Sequence, residues 1–166
     1  MIKSLSDFKC DEAEISEVVE CLKRVPSGPF TVVVRNKVSK GAIVIMNYPL
    51  LNNGSPMPTL FWLIGKQEVK SVSRIEAQYG LKAIEQMFEA GKIREIHRKY
   101  FAMRDALMPV GYGGVGPTGG VGGTARGLKC LHAHLANFMA TRDDDVGKWV
   151  FNICGFKEID YESELM

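Results

Sequence analysis

The residues best suited to chemistry lie close together in the second half of the chain. Cys130, His132 and His134 fall within five positions, directly after Lys129. A thiol that lies beside a lysine near the N-terminus of a helix has a lowered pKa and can act as a nucleophile, and a histidine can transfer protons near neutral pH. Cys130 and His132 are therefore our candidate catalytic residues. The alternative is that both simply pack beside the preceding loop.

Helical geometry limits how these side chains can cooperate. Residues 128–140 carry apolar side chains at helical spacing, which predicts a helix. On a helix that turns roughly 100° per residue, His132 and His134 lie about 200° apart and cannot bind one metal ion together. Cys130 and His134 share a face, but two ligands do not complete a zinc site, so we expect no metal ion here.

The segment before this helix is unusually rich in glycine. Nine glycines occur among the seventeen residues 111–127. Such a loop can direct backbone N–H groups toward an anion at the start of a helix, and side chains at its exit would add a hydroxyl group and two cations. The alternative is a structural or mobile loop that binds nothing. The residues that we propose for anion binding are Gly122, Gly123, Thr124, Arg126 and Lys129.

Known phosphate-binding signatures do not describe this loop. The chain has no Gly-Lys-Ser or Gly-Lys-Thr, which excludes a Walker A motif. The spacing Gly111-x-Gly113-x-x-Gly116 matches the dinucleotide-binding fingerprint, but it follows a predicted helix and Pro109 rather than a strand. We therefore discount that match.

Three further polar residues lie next to apolar segments. Arg35 follows the first predicted strand, whereas Arg74 and Glu76 lie on the helix that follows the third. Each either lines the site or belongs to a structural ion pair, and we include all three among the candidate ligand-binding residues.

Hydrophobic periodicity predicts the elements that must position these residues. The pattern favours an α+β fold, in which a small three-stranded antiparallel sheet packs against about five helices. We expect a single domain at residues 1–157 and a loose acidic tail at residues 158–166. Strands are predicted at residues 30–35, 42–47 and 59–64, and helices at residues 7–23, 66–87, 92–107, 128–140 and 146–153.

The helix predicted around residues 92–104 carries a group of cations. A solvated helix face is the common reason for such a group, and an anion-binding or partner-binding face is the alternative. The cationic side chains are Arg94, His97, Arg98, Lys99 and Arg104.

Composition narrows the class of protein. A net charge of +2 and few aromatic residues among the basic ones argue against nucleic-acid binding. The four cysteines form no Cys-x-x-Cys pair, and neither a signal sequence nor a membrane-spanning run is apparent, so we expect a cytoplasmic protein with reduced thiols and no membrane partner.

Three stretches together resemble a known family. They are Pro56-x-Pro58-Thr59-Leu60-Phe61-Trp62-Leu63, Val72-Ser73-Arg74-Ile75-Glu76 and Gly127-Leu128-Lys129-Cys130-Leu131-His132-Ala133-His134. This combination resembles the bacterial domain of unknown function family 501. The resemblance implies a bacterial cytosolic protein, and family genes near those for an exopolyphosphatase and a septum-formation initiator suggest phosphate metabolism or cell division. Many relatives have a cysteine and a proline where this chain has residues 35–39, so a metal site that uses that cysteine is not expected here.

Two functions follow from these observations. The first is a domain that binds a phosphate-containing or nucleotide-like anion at the glycine-rich loop and the helix after it. The second is a non-enzymatic adaptor that binds a protein partner through the basic helix at residues 92–104. The sequence identifies no cofactor and leaves open whether a reaction takes place.

Overall fold

The computed structural model describes residues 2–166 and has the expected α+β fold. It contains six α-helices, one antiparallel sheet of four strands and three short 3-10 turns. The helices are α1 (Glu12–Leu22), α2 (Lys66–Tyr79), α3 (Leu81–Glu85), α4 (Ala90–Asp105), α5 (Leu131–Thr141) and α6 (Asp145–Ile153). The strands are β1 (Phe30–Asn36), β2 (Ala42–Asn47), β3 (Phe61–Leu63) and β4 (Tyr161–Ser163).

The sheet has one strand more than we predicted. Its order is β3-β2-β1-β4, and β4 belongs to the segment 158–166 that we expected to be a loose tail. This segment is ordered because Tyr161 is buried in the core and its hydroxyl group donates to Glu68 Oε1 at 2.8 Å. The many acidic residues of the segment suggested solvation, whereas one aromatic side chain and pairing with β1 hold it in place.

Helices cover both faces of the sheet. On one face α1 packs through Val18 against Phe30, Val32, Ala42 and Ile45. On the other face lies α5, which is buried at every position from residue 133 to residue 140. Because helices cover both faces of the sheet, consecutive residues of β1 and β2 are buried. This explains why the two strands are continuous apolar runs rather than alternations of apolar and polar residues.

The helix α5 is the centre of the fold, since it contacts the sheet on one side and α6 on the other. A glycine makes this close packing possible. A Cβ atom at Gly147 of α6 would overlap with the carbonyl oxygen of His134, so the two helices can approach only with glycine at this position.

A buried arginine ties α4 to the loops. The guanidinium group of Arg104 has no exposed surface and donates to the carbonyl oxygens of Pro58 at 2.7 Å and Pro117 at 3.3 Å. One bond reaches the connection before β3 and the other reaches the glycine-rich loop, so Arg104 fixes the two segments against each other. Among residues 2–166 no helix is both long enough and apolar enough to cross a bilayer.

Arg104→Ala should lower the free energy of unfolding by about 2–4 kcal/mol, because it leaves buried carbonyl groups without donors and opens a cavity. Urea denaturation followed by circular dichroism measures this. The matched control is Arg98→Ala on the same helix, whose guanidinium group is exposed and pairs only with Glu95. We expect little change there, and equal losses in both variants would contradict the anchoring role of Arg104.

Candidate functional site

The first candidate residue, Cys130, lies just outside the helix that we predicted to contain it. It is the N-cap of α5, and its backbone is extended, with φ −156° and ψ 115°. The helical spacing that placed Cys130 on the same face as His134 therefore does not apply, and that pairing is wrong. Instead, Cys130 Sγ lies 3.8 Å from Nδ1 of His132.

His134 points away from Cys130 and into the core. It has no exposed surface, and its Nδ1 lies 2.9 Å from Asp144 Oδ2. The side chain of Asn137 donates to the same oxygen at 2.9 Å. These contacts join α5 to α6, so His134 has a structural role.

Hydrogen bonding fixes the tautomer of His132. Its Nε2 lies 3.2 Å from the carbonyl oxygen of Val69 and 3.1 Å from Ser73 Oγ. Because a carbonyl oxygen can only accept, Nε2 carries the hydrogen, and the lone pair of the neutral ring is on Nδ1. That lone pair faces the sulfur of Cys130.

Glu76 completes this cluster from α2. Its Oε1 accepts the backbone N–H of Leu131 at 2.8 Å and lies 3.5 Å from Nδ1 of His132. The carboxylate thus satisfies one of the free N–H groups at the start of α5. Of the polar pair that we proposed on this helix, Glu76 lies in the site, whereas Arg74 is exposed, about 200° around the helix from it.

The environment of Cys130 favours its thiolate form. Burial by itself raises the pKa of a thiol, but the hydrogen bond between Cys130 and His132 and one from the backbone N–H of Ala133 lower the pKa of Cys130 below its ordinary value. The hydrogen bond with Cys130 in turn raises the pKa of His132. The other cysteines show the opposite: burial raises the pKa of Cys10 to about 11 and also raises the pKa values of Cys21 and Cys154.

Cys130 and His132 open onto a cavity of about 280 Å³, which we call the thiol cavity. Strand β3 supplies its apolar wall and the glycine-rich loop supplies Gly122, which adopts φ 68°. The cavity is lined by Leu22, Thr59, Phe61, Trp62, Leu63, Gly122, Cys130, His132 and Ala133.

A buried histidine on α4 holds the glycine-rich loop in place. His97 Nδ1 accepts the N–H of Val121 at 3.0 Å, and Nε2 donates to the carbonyl oxygen of Gly127 at 2.8 Å. The loop approaches so closely that a Cβ atom at Gly120 would lie 2.5 Å from Nδ1. We predicted His97 as part of a cationic surface, which is wrong, because burial lowers its pKa and both nitrogens are used in the neutral form.

Two amide groups at the exit of the loop, those of Arg126 and Leu128, are already bonded within the protein. Glu85 Oε2 accepts the N–H of Leu128 at 2.8 Å, much as Glu76 does for Leu131. Thr124 Oγ1 bonds locally to the backbone of Arg126, and Lys129 is exposed outside the lining of the thiol cavity. Two carboxylates therefore stand where we expected an anion to bind.

Two arginines line a second and larger cavity. It has a volume of about 620 Å³ and lies between the start of α4 and the loop exit; we call it the arginine cleft. Arg94 comes from α4 and Arg126 from the glycine-rich loop. The full lining is Glu85, Gln86, Phe88, Ala90, Ile93, Arg94, Arg126 and Gly127.

Two other cations of α4 are paired with carboxylates, whereas Lys92 is exposed. Arg98 pairs with Glu95, and Lys99 pairs with Asp143. His97 and Arg104 are buried. Of the predicted basic group, Arg94 therefore remains, and it lines the arginine cleft without forming an ion pair within residues 2–166. Arg35 lies on the other side of the sheet, where it pairs with Glu14 and Glu17 of α1, as the ion-pair alternative expected.

Comparison with known proteins identifies a family without an assigned activity. A family model described as "Protein of unknown function (DUF501)" matches residues 33–152. No curated protein and no solved structure gives a significant match. The matched range contains all the candidate residues discussed above and every lining residue of the two cavities except Leu22.

Iodoacetamide should modify Cys130 at least about tenfold faster than Cys10, Cys21 or Cys154 near pH 7, because only Cys130 has a lowered pKa and all four thiols are half-buried. Mass spectrometry of peptides from a time course measures all four rates in one sample. His132→Gln keeps a donor for Val69 but removes Nδ1, and it should slow modification of Cys130 alone. Equal rates at Cys130 and Cys154 would contradict the prediction.

The contribution of His97 to stability should decrease as the pH falls below 6.5, its ordinary pKa. Since burial lowers the pKa of the folded form, the unfolded chain binds the proton first, and acid favours unfolding until the pH reaches the lowered folded-state value. The raised pKa of His132 acts in the opposite direction, so wild type is compared with His97→Gln by urea denaturation at several pH values. We expect the difference in unfolding free energy to narrow in acid, and a constant difference would refute the prediction.

Proposed function

We propose that this protein, which belongs to the DUF501 family, binds a small phosphate-containing or nucleotide-like anion in the arginine cleft. The observation that carries the proposal is that Arg94 and Arg126, from separate segments, line one cavity. Within residues 2–166 neither guanidinium group forms an ion pair with a carboxylate. The planar donors of arginine match the oxygens of phosphate, which favours this class of ligand.

The charge balance of the cleft also favours an anion. Glu85 is the one carboxylate in the lining, and its Oε2 already accepts the N–H of Leu128. The lining therefore contains two positive charges, on Arg94 and Arg126, and one negative charge, on Glu85, whose carboxylate is already hydrogen-bonded. Ala90 is the first residue of α4, and the side chain of Glu89 makes no capping hydrogen bond, so the positive end of the helix dipole lies at the rim of the cleft.

The size and the apolar part of the cleft suit a small organic phosphate. A volume of about 620 Å³ lies in the range of small-molecule sites. Phe88 and Ile93 contribute apolar surface, and the ring of Phe88 packs edge-on against Trp149 at a centroid distance of 6.4 Å. An aromatic side chain beside two arginines would accommodate a base or sugar next to the phosphate.

The candidate catalytic residues do not take part in this binding. Cys130 and His132 line the thiol cavity, whereas the arginine cleft has a different lining. Loss of either side chain should therefore leave anion binding intact. Any chemistry at Cys130 remains a separate prediction.

The alternative function, an adaptor that binds a protein partner through the basic helix, has weaker support. Of the six cationic residues at positions 92–104, two are buried and two are paired with carboxylates. Arg94 and the exposed Lys92 remain, and Arg94 already belongs to the cleft.

Pyrophosphate and adenosine monophosphate should raise the midpoint of thermal unfolding and give a measurable heat of binding in buffers of matched ionic strength. Arg94→Gln and Arg126→Gln should each weaken binding at least about tenfold, since each removes a charge-assisted contact. The matched controls, Lys129→Gln and Arg74→Gln, remove equally exposed cations outside the cleft and should bind normally. The proposal fails if none of these probes binds, or if the control variants lose as much affinity as the arginine variants.

A further inference from the structure

The cluster at the start of α5 brings three metal-ligating atoms around one point. The ligand atoms of Glu76, Cys130 and His132 all lie within 4.8 Å of one another. Nδ1 of His132 is 3.8 Å from Cys130 Sγ and 3.5 Å from Glu76 Oε1. All three side chains are half-buried, and Cys130 and His132 line the thiol cavity.

These distances are close to those that a tetrahedral zinc ion imposes. With Zn–S near 2.3 Å and Zn–N and Zn–O near 2.1 Å, tetrahedral angles give an S···N separation of about 3.6 Å and an N···O separation of about 3.4 Å. The two measured distances are larger by a few tenths of an ångström or less. The third separation, from Cys130 Sγ to the carboxylate of Glu76, is within 4.8 Å, so side-chain rotations would have to close it for all three atoms to bind one ion.

The tautomer of His132 also suits a cation at this point. Nε2 of His132 donates to Val69, so Nδ1 presents a lone pair to the cluster. Glu76 contributes a carboxylate oxygen and Cys130 contributes its sulfur, so three ligand atoms of the kinds that bind zinc converge on one point.

Outer hydrogen bonds orient each ligand. The backbone carbonyl of Val69 holds the ring of His132, and the N–H of Leu131 holds the carboxylate of Glu76. Such partners are typical of metal sites, because they fix the tautomer and the direction of the ligand atoms. A hydrogen bond from the N–H of Ala133 serves the sulfur in the same way.

We propose that Cys130 Sγ, His132 Nδ1 and a carboxylate oxygen of Glu76 bind a Zn²⁺ ion whose fourth position faces the thiol cavity. Thiolate and imidazole ligands select zinc over magnesium or calcium. One thiolate and one carboxylate neutralise the ion, which suits a half-buried site. Three protein ligands with an open position are the pattern of catalytic rather than structural zinc sites.

This site does not depend on anion binding, because its residues do not line the arginine cleft. It also departs from our expectation of no metal ion. That expectation considered ligands on a single helix, whereas the third ligand comes from α2, more than fifty residues earlier in the chain.

The experiment is a titration of chelator-treated protein with Co²⁺, followed by displacement with Zn²⁺. We expect one ion per chain, a near-ultraviolet sulfur-to-cobalt charge-transfer band and the intense visible bands of tetrahedral cobalt. Cys130→Ser should abolish the charge-transfer band, and Glu76→Gln and His132→Gln should each weaken binding at least about tenfold.

Matched controls exist for each ligand. Cys154→Ser removes another half-buried thiol, and Glu85→Gln alters the neighbouring carboxylate that caps Leu128 in the same way that Glu76 caps Leu131. Both controls should bind Co²⁺ normally. Circular dichroism of the metal-free variants establishes that each is folded.

A second readout uses the wild-type chain and needs no variant. Stoichiometric Zn²⁺ should slow iodoacetamide modification of Cys130 at least about tenfold and leave Cys10, Cys21 and Cys154 unaffected. The proposal is overturned if Zn²⁺ gives no protection, if the charge-transfer band persists in Cys130→Ser, or if Glu76→Gln and Glu85→Gln bind Co²⁺ equally well. Loss of the zinc site with retained pyrophosphate binding would leave the proposed function standing.

Discussion

The hydrogen bond between the carboxylate of Glu76 and the N–H of Leu131 determines how the candidate site is built. Because α5 is buried along most of its length, its N-terminus opens between α2, the sheet and the glycine-rich loop, where an unbonded amide would be costly. A carboxylate from α2 satisfies that amide and lets α5 begin at Leu131. Cys130 is then left in an extended conformation at the cap, and His132, one residue into the helix, rests on the backbone of α2.

The glycine-rich loop is held in place by hydrogen bonds from α4. His97 bonds to the backbone at both ends of the segment 121–127, and Arg104 bonds to Pro117. Gly120 is required there by close approach to His97, since any side chain would overlap with the imidazole ring. The loop thus acts as a wall between two cavities: Gly122 faces the thiol cavity, and Arg126 with Gly127 faces the arginine cleft.

The features that the sequence predicted were those with a local physical signature. The α+β class, the first three strands and the helices follow from apolar periodicity, which depends on neighbouring residues. β4 was missed because Tyr161 is the single aromatic residue within an acidic segment, and its burial depends on a strand more than a hundred residues earlier. The interior positions of His97 and Arg104 were missed for a similar reason: their partners are loop carbonyl and amide groups that no spacing rule reveals. The sequence identified Cys130 and His132 as candidate residues. It did not predict the contact between them, because that contact depends on the residue at which α5 begins.

The same two carboxylates bear on the opposite ligand charges that we propose for the two cavities. Glu76 and Glu85 each cap an amide at the exit of the loop, and together they place negative charge where the N-terminus of α5 would otherwise attract an anion. On the side of the thiol cavity, that charge is joined by a thiol with a lowered pKa and an imidazole lone pair, which makes the point attractive to a cation. On the side of the arginine cleft, Glu85 is outnumbered by Arg94 and Arg126, and the free end of α4 adds to the positive potential. In our two proposals, the glycine-rich loop therefore borders a cation site at Gly122 and an anion site at Arg126 and Gly127.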